Sequence, residues 1–315
     1  MSLFSQIKGS IAFICYVVNT LFWALPILAC GIIKLIPLKI IDKICSYLAD
    51  ACASAWIYGN VITEKCLHPV KFEVSGDTHF DRKQWYMVIA NHQSWVDILV
   101  LQRTLNGKIP FLKFFLKQQL LYVPVLGLVW WALDFPFMRR FTTAQLKKNP
   151  SLRGKDIEIT RKACEKFKTK PVSVMNFVEG TRFSTAKHNK QASPYQYLLK
   201  PKAGGMAFAL SAMGEHINKL VNVTLYYPGK VPSFWEYLCG QTQVIKVDIR
   251  ITDIPDTLRG DYINDRQFKI EFQEKLNQIW LAKDKNLQRF HQNSSIDTEI
   301  NTSCDEHKIK SKQEV

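Results

Sequence analysis

The sequence lacks the cysteine spacing of a metal-binding or disulfide-rich protein. Its eight cysteines are scattered along the whole chain, and no two of them form a CxxC pair. This spacing argues against a zinc ribbon and against an iron–sulfur site. It predicts free thiols in a reducing compartment and no metal site.

Glycine, proline and acidic residues are also sparse. With 14 Gly, 13 Pro and 47% hydrophobic residues among 315, the chain is neither collagen-like nor disordered overall, and it can bury a large core. No segment repeats at a period of roughly 20–50 residues, which argues against a solenoid. The 27 acidic residues stand against 42 Lys+Arg, so the net charge of +15 predicts an anionic partner, either nucleic acid or a phospholipid surface.

Near the N-terminus a long stretch carries no charge. Residues 11–33 are apolar except for two polar residues and Pro26, and as a helix they would reach roughly 34 Å, about the thickness of a bilayer core. A signal peptide would have a shorter apolar region and a cleavage site. We therefore predict a membrane-embedded segment, while Pro26 leaves open whether it spans the bilayer or only dips into it.

Lysines follow this segment and are nearly absent before it. If the segment spans, this asymmetry predicts that the rest of the chain lies on the cytoplasmic side of the inner, or cell, membrane. The lysines that follow are Lys34, Lys39 and Lys43.

Two further apolar patterns bear on the membrane. Residues 40–66 repeat apolar side chains every three or four positions, which predicts an amphipathic helix that lies on the membrane or packs on the main domain. The uncharged stretch 118–133 is too short to span, so it is either a core helix or a membrane-facing ridge. We divide the chain into a membrane segment with an amphipathic helix (1–66), a main domain (67–290) and a polar, disordered tail (291–315).

The main domain alternates short β-rich runs with helical patterns. This alternation predicts an α/β fold with a mixed, largely parallel sheet flanked by helices. Predicted strands cover 71–74, 85–90, 110–114, 135–138, 172–177, 221–227 and 244–254, and predicted helices cover 96–103, 156–168, 205–213 and 265–280.

The first motif that can carry chemistry is NHQSWVD, residues 91–97, directly after a predicted strand. On one continuous helix His92 and Asp97 would point about 140° apart, so they meet only at a strand-to-helix corner with Ser94 as the helix N-cap. Asp97 would then fix the tautomer of His92, which would take a proton from an attacking hydroxyl. The alternative is a surface histidine beside a capping aspartate.

The second motif is FVEGTR, residues 177–182, at the end of another predicted strand. Backbone N–H groups near Gly180, the Thr181 hydroxyl and the Arg182 guanidinium can bind a phosphate. Glu179 would orient Arg182 or lie near the His–Asp pair. The alternative is a tight turn closed by a surface Glu–Arg pair. Both motifs follow strand ends, where open α/β sheets bind their ligands.

Together the two motifs resemble the glycerophospholipid acyltransferases, whose first block is NHxSxxD and whose third is FPEGTR. The positions that match are Asn91, His92, Ser94, Asp97, Phe177, Glu179, Gly180, Thr181 and Arg182. One departure is Val178, where the family usually has proline. Looser similarities to the second and fourth blocks lie at 117–127 and 221–228.

The resemblance implies a membrane-bound enzyme that moves a fatty acyl group from acyl-CoA or acyl-carrier protein to the free hydroxyl of a lysophospholipid. The expected acceptor is 1-acyl-glycerol-3-phosphate, and another lysophospholipid such as lysophosphatidylglycerol stays open. No cofactor is implied beyond the acyl donor. By resemblance, His92 is the general base and Asp97 its orienting residue. By the same resemblance, Thr181 and Arg182 anchor the glycerol phosphate. Further substrate-binding candidates are Glu179, Gly180, Lys117 and Lys202, with Lys117 or a backbone N–H near Gly180 for the oxyanion and Lys202 as the alternative site for the phosphate.

The positive charge is concentrated in one block. Residues 103–170 hold 15 Lys+Arg and 4 acidic residues, a surplus of +11, although part of the run at 155–170 fits an ordinary solvated helix face. Beside the uncharged stretch 118–133, this surface favours an anionic membrane as partner. Nucleic acid is disfavoured because the chain has no zinc finger, RNP-like strand or basic heptad region. A non-catalytic membrane adaptor is disfavoured because both motifs keep their reactive residues.

Overall fold

The computed structural model describes residues 1–138, 164, 166–262 and 264–313. The chain begins with two long helices, α1 (Leu3–Ile33) and α2 (Lys39–Leu67). Pro26 lies inside α1 without ending it, and the helix predicted at 40–66 is present as α2. Within the described residues, α1 is the one helix long and apolar enough to cross a membrane.

The remaining elements alternate as the sequence predicts. They are β1 (Lys71–Gly76), β2 (Trp85–Ala90), α3 (Val96–Leu105), β3 (Leu112–Phe114), β4 (Leu116–Lys117), α4 (Leu126–Ala132), β5 (Phe137–Met138), β6 (Ser173–Asn176), α5 (Thr185–Gln191), α6 (Ala203–Met213), β7 (Ile217–Tyr226), α7 (Phe234–Leu238), β8 (Val244–Asp253) and α8 (Arg266–Gln313). The helix predicted at 156–168 lies largely outside the described residues, which show a 3₁₀ turn at Lys166–Lys168.

In the described part of the chain, six strands form one sheet in the order β1-β8-β7-β2-β6-β3. Neighbouring strands run parallel except β7 and β8, which are antiparallel. The prediction of a mixed, largely parallel sheet is confirmed. Strand β2 lies inside the sheet between β6 and β7, and its register with both brings three strand ends to one edge.

The sheet separates two hydrophobic clusters. Side chains alternate along a strand, so Val88 of β2 faces the cluster formed with α1 to α4, while Met87 and Ile89 face the cluster formed with α6 and α8. All three side chains are fully buried. Because β2 is covered on both faces, its sequence WYMVIA is a continuous apolar run, as expected for a buried parallel strand.

Helix α1 is docked on the main domain along its length. Near its start Gly9 packs against Cys239, and near its end Gly31 packs so closely against Ala132 that an added Cβ would lie 2.6 Å from the Cβ of that alanine. Between these points the ring of Tyr16 contacts Phe234 edge-on at 6.4 Å. One face of α1 therefore belongs to the protein core, and the other is exposed and apolar.

The apolar stripe of α2 faces outward. The sequence does not say what this stripe covers, and in the structure Ile40, Ile44 and Leu48 are exposed. The buried face of α2 carries small residues such as Ala49 and Ala53. Small side chains allow α2 to lie close to α1, which is why the larger apolar residues are left on the outer surface.

The stretch 118–133 forms a 3₁₀ turn followed by α4, and it has both a buried and an exposed face. Val129 and Ala132 are buried, whereas Tyr122, Leu128 and Trp131 are exposed. The interpretation as a core helix therefore describes its buried face, and for the exposed face the membrane-facing ridge stays a prediction. At the other end of the chain, α8 continues to Gln313 through the segment predicted to be a disordered tail. That segment contains neither Gly nor Pro, so nothing in its sequence ends the helix.

Buried ion pairs join the N-terminal helices to the domain. The Lys170 ammonium lies 2.6 Å from the Asp50 carboxylate of α2 and donates to the Ser46 carbonyl at 2.7 Å. Lys113 of β3 approaches the other Asp50 oxygen at 3.5 Å, and Lys34 at the end of α1 pairs with Asp134. Burial, together with the nearby Lys113 charge, lowers the pKa of Lys170 from 10.5 to about 8.

Replacing Lys170 with Met should change how stability depends on pH. Between pH 8 and 10.5 the unfolded state binds more protons at Lys170 than the folded state does, because the folded pKa is about 8. The free energy of unfolding of the wild type should therefore rise relative to that of Lys170→Met as pH increases through this window. Denaturant unfolding in detergent at both ends of the window measures the difference. The exposed Lys200→Met serves as control, and a wild-type advantage that stays constant would contradict the prediction.

Candidate active site

His92 and Asp97 meet at the corner between β2 and α3. His92 Nδ1 lies 2.8 Å from Asp97 Oδ2. The same oxygen accepts the backbone N–H groups of Gln93 at 2.6 Å and Ser94 at 2.9 Å, so the carboxylate closes the turn that brings the imidazole back onto it. Because a carboxylate only accepts hydrogen bonds, Nδ1 carries the proton and Nε2 keeps its lone pair. The Asp97 side chain is fully buried, whereas His92 remains 13% exposed.

The second oxygen of Asp97 has a partner that the sequence did not indicate. The Tyr227 hydroxyl donates to Asp97 Oδ1 at 2.6 Å. Tyr227 directly follows β7, the neighbour of β2, and burial and the Asp97 charge raise the pKa of Tyr227 well above 10. The hydroxyl therefore keeps its proton and remains a donor. The sequence feature that could have pointed to Tyr227 is its position beside Pro228, at the end of the strand predicted at 221–227.

Asn91 and Ser94 fix the path of the turn. The Asn91 side chain exchanges two hydrogen bonds with the backbone of Leu225, at 2.8 and 2.9 Å, and so extends the β2–β7 pairing. The predicted role of Ser94 as N-cap is off by one residue, because α3 begins at Val96 and Trp95 occupies the N-cap. Ser94 Oγ accepts the Val96 N–H at 3.2 Å and donates to a loop carbonyl.

Glu179 holds the backbone beside His92. One carboxylate oxygen accepts the His92 N–H at 2.9 Å, and the other accepts the Leu199 N–H at 3.0 Å. Glu179 is completely buried, and burial raises its pKa to about 8. Of the two sequence expectations, the structure agrees with a place near the His–Asp pair and not with one beside Arg182. Glu179 does not line the cavity described below, because both oxygens face backbone groups.

The turn after β6 is joined to the turn after β2. Gly180 adopts a φ of +69°, a left-handed conformation that favours glycine, and its N–H donates to the Phe177 carbonyl at 2.9 Å. The Phe183 N–H donates to the His92 carbonyl at 2.7 Å. The His92 ring stacks on Phe177 with a centroid separation of 3.9 Å. These contacts hold the imidazole against the second motif.

A cavity of about 620 Å³ lies in front of His92. Five of the eight predicted site residues line it, namely His92, Lys117, Gly180, Thr181 and Arg182. Its other walls are mainly apolar and include Phe114, Phe177 and Trp95, and the guanidinium of Arg182 lies 4.6 Å from the Trp95 ring.

Lys202, named from the sequence as a substrate-binding candidate, does not line this cavity. It is the N-cap of α6, its backbone N–H donates to the Val178 carbonyl at 2.7 Å, and its side chain is exposed. The backbone of Lys202 therefore supports the turn that carries the second motif, while its ammonium is not part of the cavity lining.

A family model described as Acyltransferase matches residues 71–227, about half of the chain and the part that holds both motifs. The chain belongs to the glycerophospholipid acyltransferase family. Within this family, the substitution at Val178 is accommodated in the core, because its side chain is almost completely buried.

Several proteins resemble this chain over part of its length. Human 1-acyl-sn-glycerol-3-phosphate acyltransferase alpha is 31% identical over 133 residues, which cover 42% of this chain and 41% of the human protein. Yeast (Saccharomyces cerevisiae) 2-acyl-1-lysophosphatidylinositol acyltransferase is 26% identical over 265 residues, which cover 69% of this chain and 64% of the yeast protein. The chain thus spans about two fifths of the length of the human relative.

Among solved structures, the 1-acyl-sn-glycerophosphate (LPA) acyltransferase PlsC from Thermotoga maritima matches with a TM-score of 0.48 and 17% identity. The match covers 87% of this chain and 98% of that chain.

Replacing Tyr227 with Phe should destabilise the protein through Asp97. The change removes the hydroxyl that donates to Asp97 Oδ1 and leaves a buried carboxylate oxygen without that bond, which costs about 1–3 kcal/mol. The free energy of unfolding should fall by this amount. Tyr226→Phe is the matched control, since Tyr226 is the preceding residue and its hydroxyl has no hydrogen bond within the described residues. Equal losses in the two variants would contradict the importance of the Asp97 contact.

Proposed function

We propose that this protein transfers a fatty acyl group from an acyl-CoA or acyl-carrier-protein thioester to the free hydroxyl of 1-acyl-glycerol-3-phosphate, giving phosphatidic acid. One observation carries the proposal: a single cavity is lined by His92, whose Nε2 is free to accept a proton, and by the phosphate-binding candidates Thr181, Arg182 and Lys117. Family membership and the activity for which the human relative is named support the same reaction.

In the proposed mechanism His92 Nε2 removes the proton of the acceptor hydroxyl while the hydroxyl oxygen attacks the thioester carbonyl. Asp97 stabilises the imidazolium that forms, and its bonds to Tyr227 and the turn keep it in place. The tetrahedral intermediate then expels the thiolate, which takes the proton from His92. A thioester is already an activated acyl donor, so positioning and one base suffice without a covalent acyl-enzyme.

The oxyanion of the intermediate needs a donor close to the cavity. Of the backbone N–H groups near Gly180, that of Gly180 itself already donates to the Phe177 carbonyl. Lys117 lies on the cavity wall, and its exposed ammonium has several rotatable bonds with which to reach an oxyanion. We therefore assign the oxyanion role to Lys117 and the phosphate to Thr181 and Arg182.

A second candidate acceptor is a lysophospholipid with a phosphodiester headgroup. The yeast relative is named for lysophosphatidylinositol, and it aligns with a larger share of this chain than the human relative does. The reaction at His92 would be unchanged, and only the group beyond the phosphate would differ.

The apolar surface of the N-terminal helices supports a membrane location. The outer faces of α1 and α2 and the tip formed by Tyr122, Leu128 and Trp131 are exposed and apolar. Since α1 also packs on the domain at both of its ends, we propose that the helix pair lies sideways in one leaflet. Lys39 and Lys43 are exposed near the helix turn and suit anionic headgroups, whereas Lys34 is paired with Asp134.

The reaction can be tested with purified protein in lipid–detergent micelles. The protein is offered lysophosphatidic acid, lysophosphatidylglycerol and lysophosphatidylinositol, each with acyl-CoA and with acyl-carrier protein, and products are read by mass spectrometry. We expect phosphatidic acid from the wild type and at least about a hundredfold lower turnover from His92→Ala, which removes the base. Folded His92→Ala protein with near-normal turnover would rule out the mechanism, and a product from a diester alone would favour the second acceptor.

Arg182→Ala should act mainly on binding of the acceptor. Removing a charged hydrogen-bond donor to phosphate costs about 1.5–3 kcal/mol, so the KM for lysophosphatidic acid should rise roughly 10–100-fold while kcat changes little. Steady-state kinetics with saturating acyl donor measure both constants. Arg289→Ala, which removes an exposed arginine far along α8, serves as control. An unchanged KM in Arg182→Ala would move the phosphate to another part of the cavity.

A further inference from the structure

Lys187 lies directly behind the phosphate-binding turn. It is on α5, and its ammonium donates to the Thr181 hydroxyl at 2.9 Å and to the Arg182 carbonyl at 2.8 Å. Neither sequence motif contains Lys187, and the family block ends five residues before it. Lys187 thus holds the two residues to which the phosphate is assigned.

The helix that carries Lys187 is fixed at both ends. Ser184 caps its first turn by accepting the Lys187 N–H. At its other end, His188 Nε2 lies 2.6 Å from the Tyr195 carbonyl. Because the backbone of α5 is held in this way, the Lys187 ammonium is directed to the turn by its neighbours, and its position does not depend on a bound ligand.

The contact with Thr181 determines which way the Thr181 hydroxyl proton points. A threonine hydroxyl has one proton and two lone pairs, whereas an ammonium can only donate. When Lys187 occupies a lone pair of Thr181 Oγ1, the Thr181 proton is directed elsewhere. Since Thr181 lines the cavity, this makes its hydroxyl a donor toward an anion there.

The ammonium also adds positive charge close to that anion. A phosphate oxygen that accepts from Thr181 would lie about 2.7 Å from Oγ1 and therefore within about 6 Å of the Lys187 ammonium. Arg182 and Lys117 supply the other cations of the cavity wall. A phosphate monoester carries nearly two negative charges at neutral pH, because its second pKa is about 6, while a diester carries one.

We propose that Lys187 is a specificity-determining residue, which orients the Thr181 hydroxyl as a donor and favours a dianionic phosphate monoester over a monoanionic diester. This inference rests on the proposed function, because it assigns the acceptor phosphate to Thr181 and Arg182. It goes further by assigning the preference for a monoester over a diester to a residue outside both motifs.

The charge argument predicts a relation between two measured fold-changes. Electrostatic free energy is proportional to ligand charge, so the effect of removing Lys187 on a dianion should be the square of its effect on a monoanion. For Lys187→Met we expect the KM for lysophosphatidic acid to rise about tenfold and that for lysophosphatidylinositol about threefold, with kcat within about twofold of wild type. If the wild type does not turn over the diester, the inhibition constant of the diester in competition with lysophosphatidic acid is measured instead.

Lys190→Met is the matched control. It removes the same charge from the same helix, but Lys190 is exposed and does not line the cavity. We expect both acceptors to retain their wild-type KM within about twofold, and thermal unfolding reports whether either variant is misfolded. Lys187→Arg keeps the charge and should restore the preference for the monoester. Equal fold-changes for the two acceptors, or equal effects of Lys187→Met and Lys190→Met, would overturn the proposal.

A double-mutant cycle separates the hydroxyl from the charge. If Lys187 acts in part through Thr181, the KM increase in Thr181→Val/Lys187→Met should be smaller than the product of the two single increases. A KM increase in the double variant equal to the product of the two single increases would overturn the orienting role of Lys187. Wild-type protein without any acyl transfer would count against the proposed function itself, whereas an active wild type with an unaffected Lys187→Met variant would count against Lys187 alone.

Discussion

The Asp97 carboxylate is completely buried, and it accepts hydrogen bonds from the His92 ring, two backbone N–H groups and the Tyr227 hydroxyl. A buried charge without partners would cost several kcal/mol. Those partners are available only when the chain turns sharply after β2 and when β7 ends beside it. The same four bonds that allow the charge to be buried also set the imidazole in front of the cavity. Stability of the turn and geometry of the site therefore cannot be separated.

The sheet order explains why distant residues meet at this carboxylate. Strand β2 lies between β6 and β7, and all three run in the same direction, so their carboxyl ends share one edge. The turn after β2 supplies His92, the turn after β6 supplies Glu179, and the end of β7 supplies Tyr227. Strand β8 runs the opposite way and ends at the other edge, where it adds no loop to the cavity. Lys283 of α8, which is also buried, donates to the Val223 carbonyl and thereby joins the last helix to β7.

Local patterns in the sequence were enough to predict part of this arrangement. The alternation of elements predicts the sheet, and the spacing of His92 and Asp97 predicts a corner where they meet. Tyr227 and Lys187 could not be found in this way, since each acts on a motif through a contact that no local spacing encodes. The periodicity of α2 predicts a helix, yet its outer face was not predictable, because burial there follows from close packing of small residues on α1 and not from hydrophobicity. Composition favoured a disordered tail after residue 290, although the absence of Gly and Pro permits the helix that is found.

Helix α1 covers Cys239 and Ala132 with its glycines, and Tyr16 contacts Phe234. Cutting away the first 34 residues would uncover this surface and remove the ion pair between Lys34 and Asp134. Helix α1 is therefore part of the hydrophobic core as well as the candidate membrane segment. Any detergent that displaced α1 from the domain would therefore act directly on the layer of side chains that packs against one face of β2.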